Sequence, residues 1–102
     1  MGLTEQQAVA AGANHLDTII PGWHDAIDIE TLDMGDECHC VLGQLTGNFC
    51  LGVDKYNLDD SWRLGLDIDP GRLTGLDGEW VHEFSFDRLY DAWIIEIEKR
   101  RA

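Results

Sequence analysis

The 102-residue sequence predicts a mainly α protein: a compact single-domain bundle of short helices with a longer N-terminal and a longer C-terminal helix, and room for one short β-hairpin near residues 79–86. Three observations predict this class. Residues 5–20 are rich in helix formers behind a capping sequence, and residues 86–101 repeat apolar side chains at helical spacing. The alternating stretch Ile27, Ile29, Leu32, Met34 has no alternating partner nearby with which to pair. A single domain over residues 1–102 suits the length, and 44% hydrophobic residues with four tryptophans are enough for one core.

Thr4 and Gln7 have capping-box spacing, so the first helix is expected over Glu5 to Ile20. Val9, Ala13, Leu16, Ile19 and Ile20 form its stripe, and Gly12 is its weak point. Pro21-Gly22 stops it, and Trp23 is expected to fold back over the core. From His24 to Met34 the reading is short helical turns joined by loop, with Asp28 as the N-cap of one turn ending near Leu32.

A second helix is expected from Cys38 to Gly47, with Asp36 or Glu37 near its positive end and Val41, Leu42 and Leu45 inward. Gly43 and Gly47 would let another helix, the last one among the candidates, approach closely. Gly47-Asn48 breaks the chain before a short helix over Phe49 to Tyr56. Asp59-Asp60-Ser61 caps a helix over Trp62, Leu64 and Leu66. Turns follow at Asp69-Pro70-Gly71 and Gly75 to Gly78. Ser85 or Asp87 then caps the last helix, whose inward face is Phe86, Leu89, Tyr90, Trp93, Ile94 and Ile97.

The charge layout bounds function. Acidic residues number 20 against 7 basic, for a net charge of -13, and no lysine or arginine precedes Lys55. Direct binding to nucleic acid needs a basic footprint and is disfavoured. The cluster Lys99-Arg100-Arg101 fits the negative end of a helix dipole. No apolar run approaches the roughly 18 to 20 residues of a membrane span. The opening MGLTEQQ lacks the pattern of a secretion signal, and three cysteines is an odd number, so reduced thiols in a cytoplasm are expected.

Pro21-Gly22-Trp23, Ile27-Asp28, Leu32-Asp33-Met34, the run Cys40 to Leu45 (CVLGQL), Gly47, Trp93 and Arg100-Arg101 carry a resemblance. Together they resemble a group of small acidic proteins of unknown function from actinobacteriophages and actinobacteria. The resemblance covers most of the chain, and LDM followed by CVLGQL is its most specific part. It implies a bacterial host cytoplasm, during phage infection or from a prophage, and it transfers no catalytic residue.

The residues that invite chemistry divide into three groups. Cys38, His39, Cys40 and Cys50 are the candidates for a structural zinc or redox-thiol module. Their spacing departs from zinc patterns, and on a helix Cys38 and Cys40 would point about 200 degrees apart. Asp67 to Gly78 fails the calcium-loop pattern at the fifth, sixth and twelfth positions. Aromatic residues among acids suit a protein-binding patch. The expectation is therefore a non-enzymatic, phage-encoded protein without a cofactor, which binds a host protein through Trp23, Asp25, Asp28, Glu30, Asp33, Asp36 and Glu37. If that host protein is basic and binds nucleic acid, the acidic half would mimic its phosphates. The alternative is the zinc or thiol module.

Overall fold

Thr4 caps the first helix as its spacing predicts. Its side-chain oxygen accepts the Gln7 N–H at 3.1 Å, and Gln7 Oε1 accepts the Thr4 N–H at 3.0 Å. The computed structural model describes residues 3–58, 60–69, 71–73 and 80–102, with the backbone alone given at 72, 73, 80 and 81. Among the described residues there are five α-helices: α1 Glu5–Ile19, α2 Trp23–Ala26, α3 Val41–Thr46, α4 Phe49–Tyr56 and α5 Phe86–Arg101. A 3₁₀ turn, Ser61–Leu64, lies between α4 and α5. No helix of the described residues is long and apolar enough to cross a membrane.

The two long helices pack against each other and run in the same direction. Glu5 pairs with Arg88 at one end, and Asp17 pairs with Arg100 at 2.9 Å at the other. Glu5 also accepts the Ser85 N–H at 3.2 Å, so one carboxylate serves the N-terminal ends of both helices. Ser85 is the N-cap of α5 and receives the Arg88 N–H at 3.2 Å. At the far end the Arg100 guanidinium donates to Asn14 and Asp17, pairs with Glu96 at 3.4 Å, and lies 5.7 Å from the Trp23 ring centre. The basic cluster at the end of α5 is thereby tied to this chain's own acids and carbonyls.

Trp23 and Trp93 meet edge to face at 5.5 Å in the centre, both wholly buried. Burying each ring contributes on the order of 2–3 kcal/mol, provided the indole N–H keeps a partner. Trp23 donates to Asp17 at 2.9 Å, and Trp93 donates to the Gly65 carbonyl at 2.7 Å. Asp17 thus joins the buried tryptophan to Arg100. Val9, Leu16, Ile27, Leu42, Leu89 and Ile97 belong to the same buried cluster.

Gly12 has a role its helix propensity conceals. A methyl group there would stand 1.9 Å from the Leu64 carbonyl oxygen. Reciprocally, Gly65, with φ of +68°, leaves no room for a side chain beside the Val9 backbone. The 3₁₀ turn therefore sits against α1 through glycine on both sides.

Several expectations need correction. The second helix begins at Val41 with Cys40 as its cap; residues 38–40 are turn, so Asp36 and Glu37 precede a loop rather than a helix end. Asp28 caps no helical turn: its carboxylate accepts the Glu30 N–H at 3.0 Å in a local turn, and residues 27–40 contain no helix. Gly43 is approached by the backbone of Glu37 and Cys38, not by another helix, and Gly47 is the left-handed C-cap of α3 with open space around it. The helix expected through Leu66 is the short 3₁₀ turn, whose cap Asp60 makes no side-chain hydrogen bond to it. The short pairing expected near 79–86 does occur among the described residues, where Trp80–Val81 runs antiparallel to Arg72–Leu73 with two residues on each side. The Asp59 cap and the turns at Pro70 and 75–78 lie outside the described residues. Asp69 has a structural use instead, accepting the Phe84 N–H at 2.9 Å.

Two outcomes follow. Gly→Ala in a helix ordinarily gains about 1 kcal/mol. Gly12→Ala is expected to cost roughly 1–3 kcal/mol, because the added methyl displaces the Leu64 carbonyl, and urea unfolding measures the sign. The Arg100 hydrogen bond holds the Asp17 carboxyl below its ordinary value. A carboxylate depressed on folding stabilises above its unfolded value of about 4, and that contribution is lost as pH falls through the folded value. Melting temperature measured from neutral pH down to about pH 2 should therefore fall less steeply for Asp17→Asn than for the parent.

Candidate functional site

The loop of residues 27–40 is held in place by apolar anchors with acids between them. Ile27, Leu32 and Met34 are buried, whereas Asp28, Glu30, Asp33 and Glu37 are exposed and Asp36 is half-buried. The alternation visible in the sequence is thus an inward and outward alternation of a loop. Three aspartates fix its turns: Asp28 accepts from Glu30, Asp33 from Gly35 at 2.9 Å, and Asp36 from Cys38 at 2.8 Å. Gln44 of α3 pins the loop at both ends. Its Oε1 accepts the Asp28 N–H at 2.7 Å, and its Nε2 donates to the carbonyls of Asp28 and His39. Arg101 donates to the carbonyls of His24 and Ile27 at the entrance.

Against this loop lies the start of α5. Between them is a cleft of about 440 Å³, lined by Glu30, Thr31, Leu32, Asp33 and Met34 on the loop side and by Phe86, Asp87 and Tyr90 on the helix side. Phe86 was expected to face inward, but it remains 37% exposed and its ring lies beside Gly35. Three carboxylates and two aromatic rings share this cleft, and among the described residues no lysine or arginine lines it. The Cys38 N–H, with His39 3.1 Å away, holds the Asp36 carboxyl below its usual range, so it stays ionised.

The acids singled out from the sequence therefore belong to one ordered segment, apart from Asp25, which is exposed on α2 beside His24. Trp23 does not belong with them. It is wholly buried against Trp93 and makes no surface, because α5 covers the position where the chain leaves α1. Phe86, Asp87 and Tyr90 line the same cleft and are not among the residues expected from the sequence. The spacing of Phe86 and Tyr90, one helical turn apart with an acid between, was the available signal.

The cysteines separate by environment. Residues 38–40 are not helical, which removes the orientation argument against a shared site. Cys40 is nevertheless buried, and its sulfur accepts the Gly43 N–H at 3.2 Å. Burial pushes its thiol above the ordinary value. Cys38 and Cys50 are exposed. Among the described residues, no group of three or more His, Cys, Asp or Glu side chains is arranged to hold a metal ion. In the native protein, iodoacetamide is expected to alkylate Cys38 and Cys50 and to reach Cys40 only after denaturant is added. Mass spectrometry of the peptides distinguishes the three, and equal reaction at Cys40 would contradict its burial.

Compared with known proteins, the chain matches no family model, no curated protein and no solved structure.

Proposed function

We propose that the chain is a non-enzymatic binding protein whose acidic loop and first turns of α5 dock a basic segment of another protein. What supports this reading above all is the cleft in which Glu30, Asp33 and Asp87 surround Phe86 and Tyr90. Carboxylates suit a guanidinium's forked donors and aromatic faces suit its plane, so arginine is the side chain this combination recognises best. The loop is tied down by Gln44 and by its own aspartates, so little ordering cost remains to be met on binding. The net charge of -13 adds long-range attraction for a basic partner. On the resemblance to actinobacteriophage proteins, the proposed partner is a host protein in a bacterial cytoplasm. If that protein binds nucleic acid, Asp25, Asp28, Glu30, Asp33, Asp36 and Glu37 act as a mimic of its phosphates.

A labelled hexa-arginine peptide provides the test. It is expected to bind more tightly than hexa-lysine and to weaken as salt rises. The triple variant Glu30→Gln, Asp33→Asn, Asp87→Asn should weaken binding roughly tenfold, whereas Asp54→Asn with Asp60→Asn should change it little. Asparagine keeps the acceptor that Gly35 needs, so the loop retains its shape. Equal loss in both variants would mean bulk charge attraction and would overturn the assignment to this cleft.

A further inference from the structure

Among the described residues, helix α4 packs mainly on α3. Gly52, its sole wholly buried residue, sits against Leu42 and Thr46 of α3, while Leu51 is 64% exposed. Phe49 and Val53 are half-buried and face a second, larger cleft, about 670 Å³, between α4 and the 3₁₀ turn. Leu58, Trp62 and Ile68 complete its apolar lining. This volume lies in the range of roughly 300–1,000 Å³ typical of small-molecule sites, as does a mainly apolar wall with a few polar groups.

Beside the neutral Asn57 and Ser61, the charged groups of the lining share one sign. Asp54, Asp60 and Asp67 line the cleft, and among the described residues none of the three has a lysine, arginine or histidine partner. Arg63 lies over the Trp62 ring at 5.2 Å but does not line the cleft. An apolar floor that includes two aromatic residues, under carboxylates that have no cationic side-chain partner among the described residues, complements one kind of ligand. The geometry points to a binding site for an apolar organic cation, a ring or branched aliphatic body bearing a protonated or quaternary centre. Its body would displace water from Phe49, Val53 and Trp62, and its charge would face Asp54, Asp60 and Asp67. This site stands apart from the acidic loop, and it does not depend on the docking of a basic protein there.

Tetraphenylphosphonium and tetraphenylborate, of nearly identical shape and opposite charge, are suitable probes. Equilibrium dialysis is expected to give saturable one-site binding of the cation, with amide shifts in a two-dimensional NMR spectrum concentrated in residues 49–68. The net charge alone favours any cation, so the variants decide the location. Asp54→Asn with Asp60→Asn should weaken the cation roughly fivefold to tenfold, while Glu30→Gln with Asp33→Asn leaves it within about twofold. Asp54 and Asp60 are exposed, and asparagine is at ease in the left-handed backbone of residue 60, so both proteins should fold. Equal weakening in the two variants, comparable binding of the borate, or shifts centred outside residues 49–68 would each overturn the site.

Discussion

Two helices running in the same direction place like ends of their dipoles side by side, so α1 and α5 need charge at both ends to lie together. Glu5 meets that need at the N-terminal ends, where it faces the start of each helix and also holds Arg88. Arg100 meets it at the other end, between Asp17 and Glu96. Asp17 sits at the unfavourable end of α1, and the guanidinium that neutralises it also covers the Trp23 ring. The buried Trp23, the carboxylate that accepts its N–H, and the C-terminal ends of both helices meet at this one junction. Glu96 shows the same economy: a buried carboxylate is tolerable because Lys99 and Arg100 both reach it.

Much of the fold was legible because it is written locally. The Thr4–Gln7 box, the Pro21-Gly22 stop, the Asn48 start of α4 and the Ser85 cap each involve residues a few positions apart. What was hidden depends on partners distant in sequence. Gly12 reads as a weak helix residue until Leu64, 52 positions later, is found against it. The start of α3 was misjudged because Cys40 is an unusual cap, accepting through sulfur, and the aspartates before it close turns rather than begin a helix. At the candidate site, the acids were visible as charge and Trp23 as an aromatic, but burial is a property of the whole chain. Only the position of α5 shows that Trp23 is core and that Phe86 and Tyr90 are the rings beside the acids.

The loop of residues 27–40 also separates two uses of the same side chain. One oxygen of Asp28, Asp33 and Asp36 accepts a backbone N–H and sets a turn. The remaining negative charge stays at or near the surface and available to a partner. Shape needs an acceptor and attraction needs ionisation, so aspartate supplies both where asparagine supplies only the first. The absence of regular structure here is therefore compatible with a fixed surface.

The pairing of α1 with α5 carries a cost in time. The hydrogen bonds that join them span 80 to 86 residues, so the loop to be closed is nearly as long as the chain. On the ribosome α1 emerges before both of its partners, the 3₁₀ turn that covers Val9 and Gly12 and the helix α5 that completes the core. Until then the early chain is an acidic, half-finished assembly with an open apolar stripe, and repulsion between its abundant negative charges opposes contact between nascent copies.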